Sequence, residues 1–207
     1  MTDIPKLLPR LLKERQLHSR IFAGLLMLVL FVAHPAGGRG VWFSQVVVWL
    51  GYALVVIGVF GRIYCSAFIG GRKNDMVVRD GPFSIVRNPL YVFSFIAMVG
   101  IGLESKMLSV LTALIVAFAL YYPRVVAREE AFLKHKFGEP YDAYMREVPR
   151  WWPNFSLWSE PEQVDAKPAF LRRTAMDAAI FFLPLPCFAI IGKLQAAQIL
   201  PVWLILP

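Results

Sequence analysis

Apolar residues run through this chain in long blocks, and the charges are collected between them. Ile21 to Ala33 forms a first block, Val41 to about Ile69 a second, Pro89 to Leu103 a third, Met107 to about Val126 a fourth and Ala175 to Gly192 a fifth. A helix needs roughly 20 apolar residues to cross a bilayer. The pattern therefore predicts an all-α, multi-pass transmembrane helical bundle of about five spans. The first block is short unless Leu17–Arg20 extend it. The second is long enough to project into the headgroup region with Arg62, Tyr64 and Cys65, and the fifth is disturbed by Pro184 and Pro186. Leu194 to Pro207 is apolar but short, and reads as half a span or a re-entrant piece.

The connections carry their own signals. His34 to Gly40, with Pro35 and three glycines, reads as a tight loop. Glu104-Ser105-Lys106 leaves room only for a turn, so the third and fourth blocks form an antiparallel hairpin. Residues 70–88 are a polar connection. Beyond the fourth block, Phe132, Leu133 and Phe137 continue at helical spacing to Gly138, a plausible helix end. Pro140 then opens a short helix with Tyr141, Tyr144 and Val148 on one face, and Val148-to-Pro153 ends it. Residues 161–168 read as a surface loop. Ahead of the first block, Lys6, Arg10, Lys13, Arg15 and Arg20 alternate with Leu7, Leu8, Leu11 and Leu12, as in an amphipathic helix lying on a membrane.

Composition supports a membrane protein and narrows its partners. Of 207 residues 57% are hydrophobic, and the mean hydropathy is +0.56. The net charge of +8 does not argue for nucleic acid, because the cations flank apolar blocks, where they set topology and meet anionic headgroups. The N-terminus, residues 62–88 and residues 124–173 hold nearly all Lys and Arg, which places those three regions on the cytoplasmic side. Trp151, Trp152 and Trp158 suit an interfacial belt. Cys65 and Cys187 are far apart without CxxC partners, and His18, His34 and His135 are scattered, so no metal site is expected. No small-residue cleavage site follows the first block, which reads as a retained span.

One stretch breaks the pattern. Gly81-to-Tyr91 holds two turn signals, Gly81-Pro82 and Asn88-Pro89, with Arg87 between them at the threshold of an apolar helix. A snorkelling Arg at a membrane boundary accounts for Arg87. So does an anion clamp beside a helix N-terminus, whose free N–H groups favour negative charge. The hairpin brings the cytoplasmic ends of the third and fourth blocks together, so Arg87 can meet Glu129 or Glu130. A surface salt-bridge network of little energetic worth accounts for these acids equally.

Gly81-Pro82-Phe83, Arg87-Asn88-Pro89-Leu90-Tyr91, Glu129-Glu130-Ala131-Phe132-Leu133, Phe137-Gly138-Glu139-Pro140-Tyr141 and Val148-Pro149-Arg150 follow one another in order. Together they resemble the isoprenylcysteine carboxyl methyltransferases and the related phospholipid N-methyltransferases, from about Gly51 to Pro153. Asn88 stands where that family usually has His, and Phe83 where it has Tyr. Asn keeps a donor and an acceptor but cannot titrate, which bears on proton transfer at this position and not on cofactor binding.

The resemblance implies S-adenosylmethionine as cofactor, held in a pocket that short cytoplasmic helices form at the ends of the spans. It implies Arg87, Asn88, Pro89, Tyr91, Glu129, Glu130 and Tyr141 as cofactor-binding residues. Arg87, Glu129, Glu130 and Arg150 are the catalytic candidates: Arg87 on the cofactor carboxylate, Glu129 or Glu130 on its ammonium or ribose, and Arg150 orienting the acceptor. Gly100-Ile101-Gly102 matches a Gly-x-Gly implicated in cofactor binding by phospholipid methyltransferases, although small residues in a span usually serve helix packing. The implied partners are the bilayer and a lipophilic acceptor, an isoprenylcysteine-type carboxylate, a phospholipid amine or a small thiol. The chain is expected to be a single integral membrane domain, with the motif core at 51–153 and a loop and further helix at 154–207. A dinucleotide-using membrane reductase is a competing class, with Arg72-Lys73 as its candidate phosphate-binding cluster. A small transporter or scaffold would explain the hydrophobicity but not the motif series.

Overall fold

The computed structural model of the protein describes residue 31 and residues 33–35, 41–70 and 75–207. The expected surface helix over residues 1–20, nearly all of the first expected span and the pair Arg72-Lys73 lie outside the described residues.

Helix α1 spans Val41–Ile69, the one-turn helix α2 Pro82–Ile85, α3 Pro89–Glu104, α4 Leu108–Phe137, α5 Glu139–Glu147, α6 Pro168–Ala179 and α7 Pro184–Ala196. Three described helical stretches are long and apolar enough to cross a membrane: Gln45–Ile69, Leu108–Phe137 and Pro168–Ala196. The shorter apolar helix α3 packs among them, and the architecture is a helical membrane bundle. Its 16 residues rise about 24 Å at 1.5 Å per residue.

Helix α3 runs back along α1, and small residues let the two backbones close. A Cβ on Gly51 would stand 2.7 Å from the carbonyl oxygen of Gly100, and one on Gly58 would stand 2.6 Å from that of Phe93. In lipid, where apolar surface gives little preference for a neighbouring helix, such close approach supplies the packing energy. The turn at Ser105–Lys106 sends α4 back along α3, with the Phe95 and Phe118 rings 4.9 Å apart and those of Tyr91 and Tyr122 5.3 Å apart.

Several boundaries differ from the sequence reading. The fourth expected span and the amphipathic stretch after it are one continuous helix of 30 residues, despite Pro123 in its interior. The fifth span starts earlier than expected. Helix α6 passes into a 3-10 turn, Ile180–Phe182, and Pro184 opens α7 in the first turn, where its missing N–H is not needed. The C-terminal residues are neither half a span nor a re-entrant helix. Strand β2 (Leu204–Leu206) pairs in parallel with β1 (Ala33–Pro35), which the sequence reading had divided between the end of the first span and a loop. The Pro207 carbonyl then accepts from both the backbone N–H and the hydroxyl of Ser109, tying the C-terminus to the start of α4. These three-residue strands are the only ones among the described residues.

Candidate active site

The polar cluster is built at the end of the bundle where α1 finishes and α3 begins. Gly81 starts it with φ of +56°. A side chain there would be strained, and a Cβ would stand 2.4 Å from the Phe68 ring. Gly81 turns the chain into α2, whose four residues are all buried. The Tyr144 hydroxyl donates to the Phe83 carbonyl at 2.8 Å, which pins α5 against this turn.

Asn88 then occupies the N-cap of α3, but its side chain makes no capping hydrogen bond. Its amide donates instead to Glu130 Oε1 at 3.1 Å and to the Arg150 carbonyl at 3.3 Å. Glu130, from the extension of α4, is 4% exposed. Arg150 reaches it with two donors: Nε at 3.0 Å from Oε2, and a terminal guanidinium nitrogen on the same oxygen. Arg87 Nε lies 3.6 Å from Oε1. That contact is an ion pair without a hydrogen bond, and buried Arg87 Nε has no hydrogen-bond partner among the described residues.

Arg150 sits on a strap, residues 149–154, held along the motif turn. The Arg87 N–H donates to the Pro149 carbonyl at 2.9 Å, and the Asn154 N–H donates to the Ile85 carbonyl at 2.9 Å. Two separate chain segments, residues 87–88 and the strap, thus converge on one carboxylate of α4. A buried carboxylate needs such partners, since a lone ion in this position would be strongly penalised.

Tyr141 is buried beside the cluster. Burial pushes its phenol well above the ordinary range; the charge of Glu130 adds to the rise and that of Arg87 opposes it. Burial, then Tyr141, raise Tyr144 likewise, against Arg87 and Arg79. Both remain neutral hydroxyls, able to donate, across the physiological range. Glu129 is only half-buried and faces a different side of α4 from Glu130. Tyr91 is buried under the cluster with its ring against Tyr122, and Pro89 is buried at the first turn of α3.

The structure thus brings together Arg87, Asn88, Glu130 and Arg150, with Tyr141 and Tyr91 packed around them. It does not bring Gly100 and Gly102 there. They lie about 17 and 20 Å along α3 from Pro89. Gly100 packs on Gly51 and Val55 of α1, and Gly102 packs on Leu111 of α4. We expect Gly100→Val to destabilise the fold by about 1–3 kcal/mol through overpacking. Its melting temperature in detergent should fall accordingly.

Sequence reasoning missed Arg62 as an interior group. Its guanidinium donates to the Ser94 hydroxyl and, at 3.4 Å, to the Leu90 carbonyl, and stands over the Phe181 ring. The signal was available, since an ionisable residue within a span is a functional candidate by default. Trp151 is also not part of an interfacial belt; it packs inward on the Tyr91, Phe118 and Val126 cluster. Among the described residues no three His, Cys, Asp or Glu side chains are grouped as a metal ion would need.

Fold and cluster together define an integral membrane helical bundle with a charged, largely buried site at one end. The chain belongs to the phospholipid methyltransferase family, whose model matches residues 32–140. Over 142 residues it is 35% identical to the cobalt-zinc-cadmium resistance protein CzcN of Cupriavidus metallidurans, covering 69% of this chain and 65% of that relative, less than two thirds of its length. Over 188 residues it is 29% identical to the nickel-cobalt-cadmium resistance protein NccN of Alcaligenes xylosoxydans xylosoxydans, covering 91% and 87% of the two chains. A shorter region of 78 residues is 35% identical to the protein-S-isoprenylcysteine O-methyltransferase of Schizosaccharomyces pombe, covering 37% of this chain and 33% of that one. No solved structure matches the chain.

Proposed function

We propose that this protein transfers a methyl group from S-adenosylmethionine to a lipophilic acceptor, at the end of the bundle where Glu130 gathers Arg87, Asn88 and Arg150. Residues 51–153 form the catalytic core and residues 154–207 complete the membrane domain. The observation that carries the reading is the Glu130 cluster: a buried carboxylate held by side chains from two other chain segments, in a family whose description is methyl transfer.

The donor set fits the cofactor. Arg87, with a buried Nε that lacks a hydrogen bond, suits the carboxylate of its methionine portion. The half-buried Glu129 suits its ammonium. Asn88, Tyr141 and Tyr91 have the donors and acceptors that ribose and adenine edges require. When bound, the cofactor would supply an electrophilic sulfonium methyl group, with the thioether S-adenosylhomocysteine as the leaving group. The protein's part is to position and desolvate the reactants. Glu130 fixes the Arg87 and Arg150 guanidinium groups, and Arg150 is free to orient an anionic acceptor with the donors that Glu130 does not use.

The acceptor that fits this chemistry best is a carboxylate of the isoprenylcysteine type. It needs no proton removed, Asn88 cannot act as a base, and Glu130 is occupied by two guanidinium groups. A phospholipid amine is the second reading, favoured by the family's description. Membrane extracts incubated with isotope-labelled S-adenosylmethionine separate the two. A methyl ester releases labelled methanol in mild base, an N-methyl group does not, and no protein-dependent label in either form would overturn the reading.

We further propose that the site faces the cytoplasm, in the inner membrane of a bacterial cell. Single cysteines placed at Glu162 and at Lys106 are expected to label from opposite sides of sealed vesicles, Glu162→Cys from the cytoplasmic one. Asn88→Ala is expected to weaken S-adenosylhomocysteine binding by about tenfold, while Asn88→His retains most of it. An unchanged affinity in Asn88→Ala, read by calorimetry, would leave Asn88 as a structural tie between Glu130 and the strap.

A further inference from the structure

On the strap and just past it, three large aromatic side chains point out of the protein. Trp152 is 86% exposed, Phe155 74% and Trp158 44%. The stretch that carries them is tied down at both ends. At one end are the bonds of Arg87 to Pro149 and of Asn154 to Ile85. At the other, the Gly81 N–H donates to the Ser159 carbonyl at 2.7 Å, and the Ser159 N–H donates to Ser84 Oγ at 3.1 Å. Between them, Asn154 Oδ1 accepts from the Ser156 N–H and hydroxyl and caps the 3-10 turn Phe155–Leu157.

These rings are therefore held outward by a fixed backbone, and no fold of the segment onto the bundle hides them. Large apolar side chains held exposed in one short segment mark an interaction surface. Its depth identifies the partner. Trp151, one residue away, packs against the buried cluster of Tyr91, Phe118 and Val126, whose Tyr91 lies in the first turn of α3 and whose Val126 lies at the end of the apolar part of α4. Trp152 and Phe155 therefore leave the protein at the level where the spans end. That is the headgroup level, where an indole, apolar with one polar edge, is most stable.

We infer that residues 152–158 are a membrane-docking surface whose partner is the headgroup–acyl boundary of the bilayer. We also infer that this docking holds the mouth of the Glu130 site at the depth of a lipid-borne reactive group. The second part rests on the proposed methyl transfer; the first does not. The coupling is short. Arg150, two residues before Trp152, holds Glu130 with its side chain and Asn88 with its carbonyl. A bilayer that takes up Trp152 and Phe155 therefore also fixes the cation that orients the acceptor.

The test uses the full chain with Cys65 and Cys187 replaced by alanine, carrying Phe155→Cys with a fluorescent label, in vesicles of phosphatidylcholine and phosphatidylglycerol. Arg146→Cys, exposed on α5, serves as the aqueous control. The label at 155 is expected to be quenched more strongly by a lipid bearing a nitroxide high on its acyl chain than by a water-soluble quencher, and the label at 146 the reverse. Quenching of the 155 label by the aqueous reagent alone would overturn the docking surface. Protection from both reagents together with a dimer mass would also overturn it, in favour of a second copy of the chain. In the second arm, the double variant Trp152→Ser, Phe155→Ser is expected to raise KM for farnesylated N-acetylcysteine in vesicles by about tenfold. Its affinity for S-adenosylhomocysteine should stay unchanged. An unchanged KM would overturn the coupling to the site and leave the docking result standing.

Discussion

Glu130→Ala is expected to be the most damaging single substitution in the polar cluster, costing about 3–5 kcal/mol of stability. The carboxylate is buried, and its removal leaves Arg87, whose side chain is 12% exposed, without its nearest counter-charge. Arg150 contributes less to the penalty, because its side chain is 42% exposed and water screens it. Asn88 loses one acceptor and keeps the Arg150 carbonyl. Glu130→Gln preserves the shape and one acceptor oxygen. It should fold but remain unable to hold both guanidinium groups, and methyl transfer should fall by about a hundredfold or more, as for loss of a positioned charged contact. The neighbouring Glu129→Gln is the internal control. Its side chain is half-buried on another side of α4, so its effect on melting temperature should be small. Thermal melts of the three variants in one detergent, with labelled-methyl transfer measured on the same preparations, decide the matter. Equal destabilisation by Glu129→Gln and Glu130→Gln would show that the cluster is not the organising contact.

Arg87→Lys is expected to fold normally and to bind S-adenosylhomocysteine at least about tenfold more weakly, the loss of a charge-assisted contact worth roughly 1.5–3 kcal/mol. The side chain spends Nε facing Glu130 at 3.6 Å without a hydrogen bond. Its worth to the fold is thus mainly the charge, which Lys also supplies. Its worth to a bound carboxylate is the planar fork, which Lys lacks. A snorkelling Arg would tolerate the exchange, since only the position of the charge matters. Wild-type affinity in Arg87→Lys, or a loss of binding that matched a loss of folded protein in parallel melts, would return Arg87 to that simpler role.

The bundle itself was legible in the amino-acid sequence because lipid allows few solutions. Every backbone group in the hydrocarbon must be bonded within its own segment, so long apolar runs become helices. The block from Val41 to about Ile69 forms the helix Val41–Ile69, and the Glu104–Lys106 turn could only make a hairpin. Gly81 and Pro89 declared the break between spans through backbone chemistry that no neighbour alters. From the hairpin alone, Arg87 and the two acids had to lie at one end of the bundle.

The sequence could not choose between Glu129 and Glu130. They are adjacent, of the same type, and one helical step of about 100° apart. Only the packing of α4 against α3 turns Glu130 inward and leaves Glu129 at the rim. Nor did Asn88 reveal its partners. Asn88 occupies the N-cap of α3, but a buried carboxylate and a strap carbonyl 62 residues away take its side chain. The same holds for Gly100, whose Gly-x-Gly spacing suits a ligand and a helix crossing alike until Gly51 is seen against it. The C-terminal strand, paired with a segment that read as the end of a span and a loop, lay furthest from view. Helices and turns are written in neighbouring residues, whereas the side a residue faces and the distant partner it meets arise only when the elements pack.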